Sequence, residues 1–146
     1  MAMSGDEHFR KLERLYLVAP TNRYYRPSIH ISEGQAEVEV PVRPKLFHAA
    51  QAVHGSTYFK VLDDAAYFAV NSLVRDVLVL TVSFSLYLTR PVKEGVIRAQ
   101  GRVVHASPRL YVAEARAVDS RGKTIATGSG SFMKSSISLS PKVGYE

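Results

Sequence analysis

Apolar positions along this chain change period twice, and the changes divide it into a helical start, a helical centre and a strand-rich remainder. Phe9, Leu12 and Tyr16 follow helical spacing between Ser4 and Leu17, within a predicted N-terminal helix over residues 1–20. Ser4 and Glu7 have the offset of a capping box, and Pro20 ends the run. Residues 21–27 (T-N-R-Y-Y-R-P) read as an irregular, basic and aromatic connector. Ile29 and Ile31, then Val38, Val40 and Val42, alternate with polar neighbours on either side of Glu33-Gly34, which predicts two strands and a tight turn. Pro41 and Pro44 bound the second strand and lead into the loop F-H-A-A-Q-A-V.

From His54 to Asn71 the sequence H-G-S-T-Y-F-K-V-L-D-D-A-A-Y-F-A-V-N predicts one long helix, apolar nearly all round and therefore buried. The period then becomes two. Leu80, Val82, Phe84, Leu86 and Leu88 alternate with Thr81, Ser83, Ser85, Tyr87 and Thr89, the pattern of a long half-buried strand. Val96 to Ala106, Leu110 to Val118 and Thr124 to Met133 supply three more strands, and the Ser-rich tail 134–146 is expected to be flexible. This order predicts a single α+β domain over residues 1–146, a curved antiparallel sheet wrapped around one central helix. Ala65, Ala66 and Ala69, with the small run A-T-G-S-G-S on the last strand, would let helix and sheet approach closely.

The central helix carries two adjacent carboxylates, which are costly to bury unless paired or used. At about 100° per residue, Lys60, Asp64 and Asn71 fall opposite the Leu62–Ala65–Ala66–Ala69 face. Lys60 stands four residues before Asp64, the spacing of an ion pair, so Asp64 has a place in a solvated stripe. Asp63 lies on the flank between Phe59 and Val70, with no basic residue three or four positions away. Its pKa should be raised by desolvation unless another segment brings a partner, which makes Asp63 the candidate for chemistry.

Composition narrows the picture modestly. With no cysteine there is neither a disulfide framework nor thiolate chemistry. The opening M-A-M-S-G-D-E-H lacks the features of a secretory signal, and no apolar run reaches the length of a membrane span, so a cytoplasmic protein with no membrane partner is expected. A net charge of +6 asks for an anionic partner. The basic residues are scattered without a nucleic-acid-binding motif, which favours a small phosphorylated ligand over nucleic acid. His48 and His105 have no metal-ligand spacing with other His, Asp or Glu residues, so no metal is implied.

His54-Gly55, Asp63 nine residues after that histidine, the strand T-V-S-F-S-L-Y-L-T-R-P-V-K-E-G from Thr81, and the run D-S-R-G-K-T-I-A-T-G-S-G-S-F-M from Asp119 occur in a distinctive order. In these features the chain, from about Ile29 onward, resembles the hotdog-fold acyl-CoA thioesterases of the phenylacetate-degradation (PaaI-like) type. The resemblance implies that the Gly55 N–H, at a helix N-terminus, faces the thioester carbonyl as an oxyanion donor. It implies that Asp63 acts as nucleophile or general base, that His54 positions the carbonyl or holds the loop, and that Thr81 orients the attacking water. It also implies a homodimer whose sites pair Asp63 of one protomer with Gly55 of its partner, with dimers of dimers common. No cofactor is needed beyond the coenzyme A carried by the substrate. Ser56 stands where relatives more often have a second glycine. His48 stands where many have an asparagine, and a histidine there would donate a hydrogen bond, titrate, or simply fill the loop.

Other residues have two readings each. Arg98, Arg102 and Arg109 are candidates for the coenzyme A phosphates, or serve as edge protection and solubility. Thr81 also suits an ordinary strand position, and His54 an ordinary turn histidine. Tyr24 and Tyr25, between Arg23 and Arg26, would clamp an adenine or pack an interface. At the level of function, the alternative to an acyl-CoA thioesterase is a non-catalytic acyl-CoA-sensing module of the same fold. A desolvated acid at position 63 favours the enzyme.

Overall fold

The structure, a computed structural model, describes residues 5–146, so Ser4 and its capping box lie outside the described residues. Helix α1 (Gly5–Val18) and a short α2 (Asn22–Tyr25) precede the strand pair β1 (Ser28–Ser32) and β2 (Gln35–Pro41). A 3-10 turn (Pro44–Leu46) leads to the central helix α3 (Gly55–Asn71). Strands β3 (Val77–Leu88), β4 (Val96–Ala106), β5 (Tyr111–Val118) and β6 (Thr124–Ser138) follow. The six strands form one antiparallel sheet in the order β1-β2-β4-β5-β6-β3, which wraps α3. The α+β architecture read from the apolar pattern is the one observed.

Small residues set how closely the helix sits. Leu62, Ala65, Ala66 and Ala69 are fully buried, together with Ile97 and Ala99 of β4 and Ala113 and Ala117 of β5. A Cβ placed on Gly101 of β4 would lie 2.4 Å from the backbone carbonyl atoms of Ala65 and 2.6 Å from the Ala66 nitrogen. The helix backbone therefore rests directly on Gly101. The glycines of the A-T-G-S-G-S run do something else. A Cβ on Gly128 or Gly130 would meet the Phe84 ring at 2.6 and 2.5 Å, so these two glycines make room for an aromatic side chain, not for the helix.

The even alternation read along β3 does not survive. The pairing with β6 shifts register between Thr81 and Ser83, a β-bulge that reverses which residues point inward. Before the bulge Val79 is buried and Thr81 reaches Asp63 of α3, while Leu80 and Val82 are 51% and 59% exposed. Beyond it Phe84 turns inward and meets Phe59 of α3 edge to face, at 5.7 Å between ring centroids.

Two further expectations are corrected. The face of α3 opposite the sheet is not a solvated stripe, because α1 and α2 roof it; Asn71 is fully buried there, and its amide holds the Val74 and Val77 carbonyls and the Val79 N–H. The tail expected to be flexible continues β6 to Ser138, and Tyr145 is buried, with its hydroxyl 2.7 Å from the Nδ1 of buried His8 in α1. His8 in turn reaches the Asn71 carbonyl at 3.0 Å, so α1 and the segment carrying Tyr145 are both tied to the end of α3.

Side chains occupy part of the backbone at each sheet edge, Ile31 of β1 and Val79 of β3. At β1, Glu13 of α1 accepts the Ile31 N–H at 2.8 Å and Arg10 donates to the Ile31 carbonyl at 2.6 Å, so side chains occupy edge backbone groups. At the other edge stands β3, twelve residues long and bearing exposed Leu80, Val82 and Tyr87. Edge strands of this kind are templates for pairing with another chain.

The helix seat gives a direct test. Gly101→Ala should destabilise the fold by about 1–3 kcal/mol or more, because the new methyl group meets backbone that has no rotamer to change. Gly122→Ala, in an open turn, serves as the control that strains only a positive φ of 80°. Chemical denaturation of both variants measures the difference; equal losses would mean that α3 does not rest on Gly101.

Candidate active site

The site is built where α3 meets β3. Ala65 and Ala66 face the sheet, and Asp63 stands about 110° round the helix from their mean direction, on the flank beside β3. There the Thr81 hydroxyl donates to Asp63 Oδ1 at 2.9 Å. The partner that the sequence left unnamed for Asp63 is thus a neutral hydroxyl from a neighbouring strand. Burial pushes the Asp63 carboxyl up to about 6, partly offset by the Thr81 hydrogen bond, with smaller opposing contributions from Asp64 and Lys60. Tyr67, one turn further on, donates its hydroxyl to the Val79 carbonyl at 2.7 Å. Burial, then the charges of Asp63 and Asp64, hold that phenol in its neutral form.

The N-terminus of α3 is the second half of the site. His54 is its N-cap, and His54 Nδ1 accepts the Ser56 N–H at 2.9 Å and lies 2.8 Å from Ser56 Oγ. These bonds hold the start of α3. Ser56, the departure from the usual second glycine, completes that cap. The His54 N–H donates to the Leu46 carbonyl and the Val53 N–H to the Val92 carbonyl, so the approach to the helix is anchored from both sides. Gly55 follows as the first helical residue, whose N–H has no acceptor within a helix. His48 stands in the preceding tight loop, where Gln51 adopts a left-handed φ of 65°. Its Nδ1 accepts the Ala50 N–H at 3.0 Å, and its ring lies 6.4 Å from the His54 ring. His48, His54, Gly55 and Ser56 therefore form one cluster, and Asp63 with Thr81 another. Eight residues of helix, about 12 Å, separate Gly55 from Asp63.

The arginines are not brought to either cluster. Ile97, Ala99 and Gly101 of β4 face α3, so Arg98 and Arg102 point from the opposite face of the sheet. Arg98 lies 3.1 Å from Glu39 and 3.5 Å from Glu37, and Arg102 pairs with Glu114. Arg109 lies, exposed, in the turn between β4 and β5. Tyr24 and Tyr25 meet edge to face at 87° and 5.2 Å, which leaves no parallel slot for an adenine. Among the described residues, no three His, Asp or Glu side chains gather as a metal site would require. No helix among them is long and apolar enough to cross a membrane.

An antiparallel sheet curled round one central helix is the hotdog architecture. Residues 50–126 match the thioesterase superfamily, and the chain belongs to that family. The fold is similar to that of PaaI from the E. coli phenylacetic acid degradation operon, with a TM-score of 0.84 at 20% identity over 93% of this chain and 99% of that one. It is also similar to a thioesterase family protein from Silicibacter pomeroyi, with a TM-score of 0.79 at 26% identity over 89% and 97% of the two chains. In sequence, a Saccharolobus solfataricus protein provisionally named an esterase is 24% identical over 103 residues, 70% of this chain and 69% of that one. The chain is thus a thioester hydrolase in class.

Asp63 should cost stability when it ionises. It binds its proton more tightly folded than unfolded, so its contribution is most favourable below the ordinary aspartate range and is lost as pH rises through about 6. The linkage sets a ceiling near ~3 kcal/mol, which partial solvent screening lowers to about 1–2 kcal/mol. Asp63→Asn should therefore melt higher than the wild type at pH 8, with the gap closing by pH 4. Thermal melts across that range measure it; a constant gap would mean that Asp63 is not strained by its burial.

Proposed function

We propose that this protein is an acyl-CoA thioesterase, acting on a small or medium acyl group, aromatic ones included. The observation that carries the reading is the Asp63 carboxylate, buried against the Thr81 hydroxyl and raised to about 6. A base with that pKa is mostly ionised at neutrality yet still basic enough to take a proton, the range in which general base catalysis is most effective. On this reading Asp63 takes a proton from a water that attacks the thioester carbon. The oxyanion forms at a Gly55 N–H, aided by the helix dipole, and collapse of the tetrahedral intermediate breaks the C–S bond and releases the thiolate. Phe59 and Phe84 stand beside Asp63 and Thr81 on the same helix and strand, and offer an aromatic wall to the acyl chain. The net charge of +6 suits the phosphates of coenzyme A.

One chain cannot supply both halves. A carbonyl accepting from Gly55 has its carbon within a few ångströms of that N–H, whereas Asp63 lies about 12 Å along the same helix. The working unit is accordingly a homodimer, formed along the exposed β3 edge that carries Thr81, with Asp63 of one protomer facing Gly55 of its partner. A dimer of dimers is compatible with the same site.

Thiol release from a panel of acyl-CoA esters tests the activity. Wild type should cleave at least one ester, with kcat/KM rising with pH through about 6, and Asp63→Asn should lower kcat by about 10²–10⁴-fold. Asp64→Asn should remain active. If no ester is cleaved while an acyl-CoA raises the melting temperature, the protein is a sensor of the same fold and the thioesterase reading is wrong. Single-turnover hydrolysis in ¹⁸O-water separates the two roles for the acid, since label entering Asp63 itself would show a nucleophile and not a base.

Shared sites have their own signature. Gly55→Pro removes the N–H at the first helical position, a position that suits proline. His54 already has the extended ψ of 145° that a following proline requires, and the added Cβ, 2.9 Å from Leu88 Cδ1, displaces only the tip of a flexible side chain. Gly55→Pro and Asp63→Asn should each be inactive alone. Subunits exchanged between them should recover about a quarter of wild-type activity, because half of the dimers are hybrids with one intact site of two. No recovery after verified exchange would place the whole site within one chain.

A further inference from the structure

The structure holds a second acid beside Asp63, and the N-terminal helices hold that acid in turn. Asp64 Oδ2 accepts from Lys60 Nζ at 2.7 Å and from the Tyr16 hydroxyl at 2.6 Å. The Lys60 ammonium also lies over two rings, 5.4 Å from the centre of Tyr16 and 4.9 Å from that of Tyr25. The side chains of Lys60 and Asp64 are only 13% and 17% exposed, so solvent screens them weakly. Tyr16 and Tyr25 come from α1 and α2, which lie outside the residues 50–126 matched by the superfamily. They lie outside that match, and Tyr16 touches the acid next to Asp63.

We propose that Tyr16, Lys60 and Asp64 form a positioning network that fixes the charge beside Asp63, so that the N-terminal helices set the pH range over which the enzyme works. This rests on the thioesterase reading above. Two adjacent carboxylates on one buried helix disfavour each other's ionisation. Lys60 is placed to cancel the Asp64 charge, and the Tyr16 hydroxyl and the two rings keep both charged groups in one geometry. Asp64 and Lys60 act on Asp63 in opposite directions, the first raising and the second lowering its pKa, beneath the larger effects of burial and Thr81. The groups facing Asp63 are Asp64, Lys60 and Tyr67 from α3, and from β3 the neutral Thr81 hydroxyl. The N-terminal helix reaches it through Tyr16.

The sign of the response separates this role from a purely structural one. The Asp63 carboxyl is titrated by ¹³C NMR, and the pH profile of kcat/KM is measured, in wild type, Lys60→Met, Asp64→Asn, the Lys60→Met/Asp64→Asn double variant and Tyr16→Phe. The apparent pKa should move up by about half a pH unit in Lys60→Met and down by a similar amount in Asp64→Asn. The double variant should return close to wild type. Tyr16→Phe, which keeps the ring under Lys60 and loses one hydroxyl, should move upward less than Lys60→Met; it decides the matter if a charge variant fails to fold. Shifts of one sign in both charge variants, or losses of kcat and stability with an unmoved pKa, would overturn the network. If wild type cleaves no ester, the thioesterase reading falls, and the NMR titration still decides whether these residues control Asp63.

Discussion

The contact on which this fold depends is the backbone of α3 at Ala65 and Ala66 resting on Gly101 of β4. With no side chain between them, helix and sheet are closer than two ordinary packed layers, and the rotation of the helix is fixed. Every candidate site position on α3 follows from that seat. Asp63 is turned to the flank of β3, Lys60 and Asp64 are turned away beneath α1 and α2, and Gly55 is left at the free end. A helix able to roll by one residue would exchange the positions of the two acids.

The same seat explains why neighbouring aspartates have different fates. Asp64 falls where a lysine one turn earlier and a tyrosine from α1 can reach it, so its charge is met locally. Asp63 falls where the nearest group is a neutral hydroxyl, and burial raises its pKa. A fold selected only for stability would pair both acids or replace them. A carboxylate kept at a cost in stability is the expected mark of a position retained for chemistry.

Much of this was legible in the pattern of residues. The strands from β4 onward, the central helix, the Lys60–Asp64 pair and the greater desolvation of Asp63 all follow from periodicity and helical geometry. The failures share a physical cause, which is that period counting assumes an unbroken element and a known neighbour. The bulge between Thr81 and Ser83 reversed the faces of β3, so Leu80 and Val82 point outward and Thr81 points at Asp63. Nothing in an alternating run of Leu, Val, Phe, Thr and Ser marks that bulge. Gly101 sits in β4 without a turn or a small-residue run to announce it, whereas Gly128 and Gly130 suggested a helix seat and instead accommodate Phe84. The Ser-rich tail looked unable to pack, but Tyr145 at its end carries the anchor. Arg98 and Arg102 do share a face, as alternation required, and it is the face turned away from α3.

On the proposed reading, the two sheet edges bear on why one chain holds only half of the chemistry. Arg10 and Glu13 cap β1, showing that this sequence has the means to close an edge. At β3 the Asn71 amide and the Tyr67 hydroxyl occupy the backbone of Val79, the strand beyond it stays long and apolar, and Thr81 of that stretch is the residue that holds Asp63. On the proposed reading, one strand orders the catalytic acid and presents the surface that recruits the partner's oxyanion donor. Catalysis and association would then share a structural element, and an isolated protomer would hold a poised base with no oxyanion donor in reach. The 12 Å between Gly55 and Asp63 is, on these terms, a safeguard built into helix geometry: α3 cannot bend to close it, so only a second helix can.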